Sequence, residues 1–169
     1  MRIRTAALTF YLFLLLAISA GQGLAQGLPQ ECKDAMDIRS PQAQVEAFTR
    51  CLESGRVSGS DKATTLKQRA IAYMHLGQHQ RAIDDINQAI RIKPGDSDNF
   101  YLRGFAYRAL GQYQRALEDS NQAISLEPDF AAAFANRAFV HKALGNVNQA
   151  KSDARRAQDL DPQVKVPRF

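Results

Sequence analysis

Three arginines and three aspartates recur at one fixed interval in this 169-residue chain. The interval is 34 residues, and the members are Arg69, Arg103 and Arg137, together with Asp85, Asp119 and Asp153. Such a set could form ion pairs between neighbouring helices, or it could bind an anion. Because structural ion pairs also fix the register of packed helices, we predict an ion-pair ladder.

Two histidines stand four residues apart, a spacing that metal sites use on one helix face. Gly77 lies between His75 and His79 and is expected to end the helix there. No carboxylate-containing metal motif accompanies them, and the sequence has no glycine-rich phosphate loop, nucleophile elbow or pair of catalytic carboxylates. We therefore predict no metal, no cofactor and no catalytic activity.

The N-terminal residues 1–25 have the layout of a secretory signal peptide. Arg2 and Arg4 precede an apolar run, and Gly23 and Ala25 occupy the −3 and −1 positions of a cleavage site. The run is about 15 residues long, whereas a spanning helix needs roughly 20. We expect cleavage after Ala25, with retention as an anchor as the alternative. The mature chain is then expected to have no membrane span and to reside in the periplasm or the secreted fraction.

The chain contains two cysteines, Cys32 and Cys51, and both follow the expected cleavage site. In an oxidising compartment an even number of cysteines favours a disulfide between them. Two free buried thiols are the alternative, since cysteine is also a common small core residue. Neither cysteine belongs to a C-x-x-C motif or lies beside a histidine, so thiol chemistry and zinc binding are poorly supported.

The interval of 34 residues extends well beyond the charged positions. Three ten-residue strings align position by position, and they are MHLGQHQRAI, RALGQYQRAL and KALGNVNQAK. A proline follows each string at the same distance, at Pro94, Pro128 and Pro162. The glycine of each Leu-Gly pair is expected to end the first helix of its unit. The proline is expected to end the second helix. Each unit is therefore predicted to be a helix hairpin.

These repeats divide the chain into consecutive parts. The parts are the signal peptide (1–25), an N-terminal helical segment (26–62), three repeat units (63–96, 97–130 and 131–164) and a tail (165–169). In the N-terminal segment, Ser40 and Pro41 predict the start of a helix that ends at Gly55. In the third unit, Lys151 and Gln158 replace apolar residues of the other units, which predicts a soluble outer face at this end.

The units resemble tetratricopeptide repeats in their length and in their order of aromatic, small, Leu-Gly, Ala and Pro residues. The early tryptophan that is usual in that family is replaced by Leu66, Phe100 or Phe134. The resemblance implies an all-α fold, a right-handed α-solenoid of stacked helix hairpins with an inner groove lined by the first helix of each hairpin. The leader and the paired cysteines further resemble exported bacterial members of the family.

The family's groove face, placed on the first helix of each unit, gives the candidate partner-binding residues. They are Lys67, Ile71, Met74, His75, Tyr101, Leu102, Phe105, Arg108, Asn136, Phe139 and Lys142. Ile71, Phe105 and Phe139 line up as an apolar stripe with basic residues at its flanks. Such a surface suits a peptide with apolar anchors and some acidic character, and the alternative is that the phenylalanines are core.

Some members of the family bind the acidic C-terminal tails of chaperones through a clamp of lysine, asparagine and arginine side chains. The corresponding residues here are Lys67, Ile71, Leu102, Ala132 and Asn136. Lys67 alone has the expected side chain at its position. The sequence therefore predicts that this clamp is absent.

Net charge does not favour a nucleic-acid partner. The formal charge is +5, and it falls to +3 once the two arginines of the leader are removed. The remaining basic residues are spread among acidic ones, which gives only a weak field. We predict a noncatalytic scaffold or adaptor that binds a protein or peptide partner in the groove. The alternatives are a homodimer formed through the stacking faces and, third, an enzyme.

Overall fold

A computed structural model describes residues 28–169, and the leader with its expected cleavage site lies outside these residues. A short 3-10 turn, Ala35–Asp37, follows the first of eight α-helices in this range. The helices are α1 (Gln30–Asp34), α2 (Pro41–Glu53), α3 (Gly59–His75), α4 (His79–Ile92), α5 (Ser97–Ala109), α6 (Tyr113–Leu126), α7 (Ala131–Ala143) and α8 (Val147–Leu160). Residues 28–169 contain no strand, and the prediction of an all-α fold is confirmed.

The helices pack in hairpins that stack on one another. The most extensive contacts join α3 with α4, α5 with α6, and α7 with α8. Successive hairpins meet through α4 with α5 and through α6 with α7, and the first helices α3, α5 and α7 also touch in sequence. Contacts therefore run from neighbour to neighbour, as in a solenoid, and the first helices share one face.

Glycine in the left-handed conformation ends the first helix of each hairpin. Gly77, Gly111 and Gly145 have φ angles of 71°, 72° and 78°. After the first of these turns, the Gln78 amide donates to the Tyr73 carbonyl oxygen at 2.8 Å, which satisfies a carbonyl of the last helical turn. The Leu-Gly pairs thus end the helices as the sequence predicts.

Gly104 lets two helices approach closely within the second hairpin. A Cβ atom at this position would lie 3.1 Å from the Asp119 Cβ and 3.3 Å from the Ala116 carbonyl oxygen. The facing residues are themselves held by their helix, so they have little freedom to move away.

A larger side chain at Gly104 is therefore expected to destabilise the fold. We expect Gly104→Val to lower the free energy of unfolding by about 1–3 kcal/mol, which urea titration followed by circular dichroism would measure. Gly95→Val is the matched control, because Gly95 is exposed and a Cβ atom there would have no neighbour within 4 Å. Equal losses in the two variants would contradict the close approach.

The N-terminal segment is attached by a disulfide. Cys32 and Cys51 are bonded, their Cα atoms lie 5.6 Å apart, and both side chains are buried. The bond joins α1 to α2, and α2 packs against α3 of the first hairpin. Ser40 caps α2 by accepting a hydrogen bond from the Ala43 amide at 3.4 Å, and Pro41 is its first residue. The segment thus covers the N-terminal end of the stack, where α3 would otherwise be exposed.

The last residues fold back over the third hairpin. Pro167 is buried, and the Lys142 ammonium donates a hydrogen bond to the carbonyl oxygen of Arg168. The side chains of Lys142 and Lys151 also lie over the ring of Phe169, with Nζ 5.6 and 5.8 Å from its centroid. Lys151 and Gln158 are exposed on α8, so this end of the stack has a polar surface. Each helix of residues 28–169 is too short or too polar to span a bilayer.

Candidate functional site

The recurring arginines and aspartates form the predicted ladder. In the second hairpin, Arg103 Nε and Nη2 donate to the two carboxylate oxygens of Asp119 at 2.9 and 2.7 Å. The pairs in the other two hairpins have the same bidentate geometry, with distances of 2.7 or 2.8 Å. The hydrogen bonds to Asp119 are the largest cause of the raised pKa of Arg103. The ladder arginines are thus already neutralised and do not form an anion site.

Each ladder arginine also bonds to the preceding part of the stack, a contact that the predicted ladder does not include. Arg103 Nη1 donates to Asn87 Oδ1 and Arg137 Nη1 donates to Asn121 Oδ1, both at 2.7 Å. In the first hairpin the acceptor is Thr49 of α2, at 3.0 Å from Arg69 Nη1. Asn87 and Asn121 are themselves 34 residues apart, so the sequence carried a signal for this contact. One guanidinium therefore joins two adjacent hairpins.

A concave pocket lies on the shared face of α5 and α7. It has a volume of about 420 Å³, and it is lined by Tyr101, Phe105, Arg108, Ala132, Ala135, Asn136, Phe139, Val164 and Lys165. We call this the groove pocket. The rings of Tyr101 and Phe105 belong to α5, and the ring of Phe139 belongs to α7. Alanines of α7 form part of the lining. Residues of the folded-back C-terminal segment close one side.

The aromatic residues of the groove pocket are half-buried rather than core. Phe105 and Phe139 both have intermediate exposure. Tyr101 packs edge-on against Phe130, with ring centroids 5.3 Å apart. Burial raises the pKa of Tyr101, so its phenol stays neutral at physiological pH. The pocket therefore presents apolar and aromatic surface to solvent on the inner side of the stack.

Arg108 lies between the two phenylalanine rings of this pocket. Its Cζ atom is 4.9 Å from the ring centroid of Phe105 and 4.8 Å from that of Phe139. Its Nε is buried without a hydrogen-bond acceptor, and the ion pairs found among residues 28–169 do not include it. Burial lowers the pKa of Arg108. The guanidinium is thus a partly desolvated cation that no carboxylate of this part of the chain neutralises.

Two cations that the sequence placed beside the apolar stripe are engaged within the protein. Lys67 Nζ lies 3.1 Å from a carboxylate oxygen of Asp96 and 3.0 Å from one of Asp98. Lys142 is occupied by the C-terminal segment, as described above. Of the three flanking cations, Arg108 alone lines the groove pocket.

Four other candidate residues have packing roles or lie outside the pocket. Leu102 and Met74 pack against the core cluster around Ala70 and Ile86. Ile71 is half-buried on α3, and His75 is exposed at the end of that helix.

Asn136 lines the pocket but is buried. Its Nδ2 donates to Ser120 Oγ at 3.0 Å, a hydrogen bond between α7 and α6. The asparagine thus holds α7, which carries part of the pocket, against α6.

The histidines do not form a cluster with other metal ligands. His75 ends α3, the turn at Gly77 follows, and His79 begins α4. Within residues 28–169, no group of three or more His, Cys, Asp or Glu side chains is placed to hold a metal ion.

Comparison with family models identifies the repeats. Models described as TPR repeat or tetratricopeptide repeat match residues 63–96, 86–118, 104–145 and 131–164. The chain belongs to the tetratricopeptide repeat (TPR) family. A comparison with curated protein sequences gave no significant match.

Solved structures of TPR domains are similar to this TPR protein. The first TPR of Spaghetti (RPAP3) bound to the HSP90 peptide SRMEEVD has 28% identity and a TM-score of 0.60, over 62% of this chain and 83% of that one. The second TPR domain of human RPAP3, in complex with the HSP70 peptide SGPTIEEVD, has 30% identity and a TM-score of 0.58. The match covers 62% of this chain and 87% of that one. MamA, at 22% identity and a TM-score of 0.68 over 78% and 75%, shares the fold.

Proposed function

We propose that this TPR protein is a noncatalytic scaffold or adaptor that holds a peptide segment of a protein partner in the groove pocket. The observation that carries the proposal is the pair of half-exposed rings, Phe105 and Phe139, on the concave face of the stack. The two RPAP3 TPR domains, at 28% and 30% identity, were solved with bound peptides, which supports the same use of the scaffold.

The chemistry of the groove pocket favours peptide side chains as its ligands. Burying an apolar side chain against such rings contributes about 1.5–3 kcal/mol, and aromatic anchors of this kind dominate the energy of many interfaces. The rings project from helices rather than from loops, and the ladder fixes those helices relative to one another. A binding surface that is already ordered loses less conformational entropy when a ligand binds.

We place the ligand at a different part of the groove from the clamp that binds chaperone tails in other members of the family. Lys67 is the one matching clamp position, and its ammonium bonds to Asp96 and Asp98. We therefore place the ligand over α5 and α7, where the groove pocket lies, rather than at Lys67.

We further propose that the protein acts outside the cytosol, in the periplasm or the secreted fraction. The disulfide between Cys32 and Cys51 supports this location, because such bonds persist in oxidising compartments. The leader supplies the sequence signal for export.

Truncating one ring of the groove pocket should remove most peptide binding. Wild-type protein panned against a displayed library of random 12-residue peptides should enrich peptides with apolar anchors. For the enriched peptides, we expect Phe139→Ala to weaken binding by about tenfold or more, because it removes an aromatic anchor from the pocket. Fluorescence anisotropy with the labelled peptides would measure the change.

The matched control is Leu144→Ala, which shortens an apolar side chain that is 43% exposed in the turn after α7. Both variants should keep the helical circular dichroism of the wild type. Equal affinity of the wild type and Phe139→Ala for the enriched peptides, or no enrichment at all, would refute the groove assignment.

A further inference from the structure

Arg108 differs from the other arginines on the first helices of the stack. The ladder arginines Arg69, Arg103 and Arg137 each hold a carboxylate in a bidentate pair. Arg108 has no carboxylate partner among residues 28–169, although it is half-buried. A charged group taken out of water without a partner is costly, so the position calls for an anion from outside the chain.

The contacts of Arg108 leave its hydrogen-bonding edge available. Both phenylalanine rings lie within 5 Å of the guanidinium carbon. A guanidinium that stacks on an aromatic ring contacts it through its face. The N–H donors point outward in the guanidinium plane, where they match the two oxygens of a carboxylate. Because the side chain is half-exposed, part of this edge can be reached from the pocket.

From this geometry we propose that Arg108 binds one carboxylate of the partner segment, while apolar side chains on either side of that carboxylate contact Phe105 and Phe139. The inference rests on the proposed function and names the ligand class of the same pocket. Burial lowers the pKa of Arg108, and a bound carboxylate would offset that effect by pairing with the cation.

The surroundings of the pocket favour a single carboxylate over an acidic run. Lys67 and Lys142, the other cations of the stripe, are engaged by Asp96, Asp98 and the C-terminal segment. Burial is the main cause that raises the pKa of Tyr101, and the nearby carboxylate of Asp98 adds to it, so Asp98 places negative charge beside the pocket. Lys165 lines the rim but is exposed, where solvent and salt screen its charge.

The library of random 12-residue peptides tests this ligand class. We expect the peptides enriched on wild-type protein to share one Asp or Glu between apolar residues, and those enriched on Arg108→Gln to lose that acid while keeping the apolar residues. The matched control is Arg115→Gln, which removes an exposed arginine that stacks on Tyr107 at 5.6 Å, outside the pocket. Arg115→Gln should enrich the same peptides as the wild type.

A double-mutant cycle then measures the contact itself. Replacing the acid of one enriched peptide with its amide should weaken binding to the wild type by about tenfold, and should change binding to Arg108→Gln far less. The peptide SRMEEVD, with three acids in its last four residues, should bind the wild type less tightly than the enriched peptide.

The possible failures separate the two proposals. Enriched peptides without an acid, an equal loss for the amide peptide in both proteins, or tighter binding of SRMEEVD would overturn the role of Arg108 and leave the groove assignment standing. No enrichment on wild-type protein would overturn both.

Discussion

Replacing Asp119 with lysine is expected to lower the free energy of unfolding by about 3–5 kcal/mol, because it breaks a buried ion pair and leaves a partly buried cation without its partner. Asp119 is 6% exposed and Arg103 is 22% exposed in their side chains. The new lysine would also place a second positive charge beside Arg103. A loss of this size corresponds to a fall in melting temperature on the order of 10 °C, which circular dichroism would measure.

The neighbouring acid provides the control. Glu118 precedes Asp119 on the same helix but is exposed, so Glu118→Lys makes the same charge change without breaking a ladder pair. Its effect should stay within about 0.5 kcal/mol. An unchanged melting temperature in Asp119→Lys would show that the ladder does not hold the hairpin together.

The same pair shows what the guanidinium of the ladder arginine contributes beyond its charge. Arg103 bonds to Asp119 in its own hairpin and to Asn87 in the preceding one. A lysine at position 103 would keep the charge but lose the planar fork that makes three hydrogen bonds at once. The guanidinium groups of Arg103 and Arg137 therefore set both the pairing of their own hairpin and its stacking on the previous hairpin.

The fold could be predicted from the sequence because the local signals and the repeat agree. Each Leu-Gly pair and each proline marks a helix end, and their common interval places the hairpins in one register. The ladder was predictable for the same reason, since both of its partners recur at that interval. Asn87 and Asn121 recur too, but their role depends on which helices lie side by side, which spacing alone does not give.

The state of the cations on the groove face could not be predicted in this way. Lys67 and Lys142 match Arg108 in charge and in placement on first helices. The partners that engage the lysines are Asp96 and Asp98 near a helix start, and a carbonyl of the non-repeating C-terminal segment. Among residues 28–169 these contacts do not recur at the 34-residue interval, so no periodicity indicates them. The packed structure is what distinguishes the available cation from the two that are engaged.

The solenoid architecture also limits how far a local change spreads. Helices contact their neighbours in the stack, and the N-terminal segment contacts the repeats mainly through α2 and α3. Loss of order in that segment should therefore leave the third hairpin intact, since stability in a repeat stack is nearly a sum of local contributions. The part of the structure most easily disordered is the N-terminal segment, in which the disulfide joins α1 to α2.

Replacing both cysteines with serine is expected to destabilise the N-terminal segment by about 3 kcal/mol, the loop-closure contribution of a disulfide of this span. The cysteines are 19 residues apart, and they pack in a small cluster with Val57, Leu28 and Leu52. Without the bond, α1 would be held by this cluster and by the adjacent cluster of Ala35, Ala47, Phe48 and Ile38. The first of these clusters would then contain two polar hydroxyl groups, which weakens it.

Hydrogen exchange read residue by residue would measure this loss. Amides of α1 and α2 should exchange about a hundredfold faster in the double variant, given some 3 kcal/mol of lost stability, while amides of α7 and α8 keep their wild-type rates. Reductant should reproduce the effect in the wild type and add nothing in the variant. Because Thr49 of α2 accepts from Arg69, the first ladder pair should be the one part of the repeats that loosens with the segment. Faster exchange throughout the stack would instead show that the disulfide stabilises the whole solenoid as one cooperative unit.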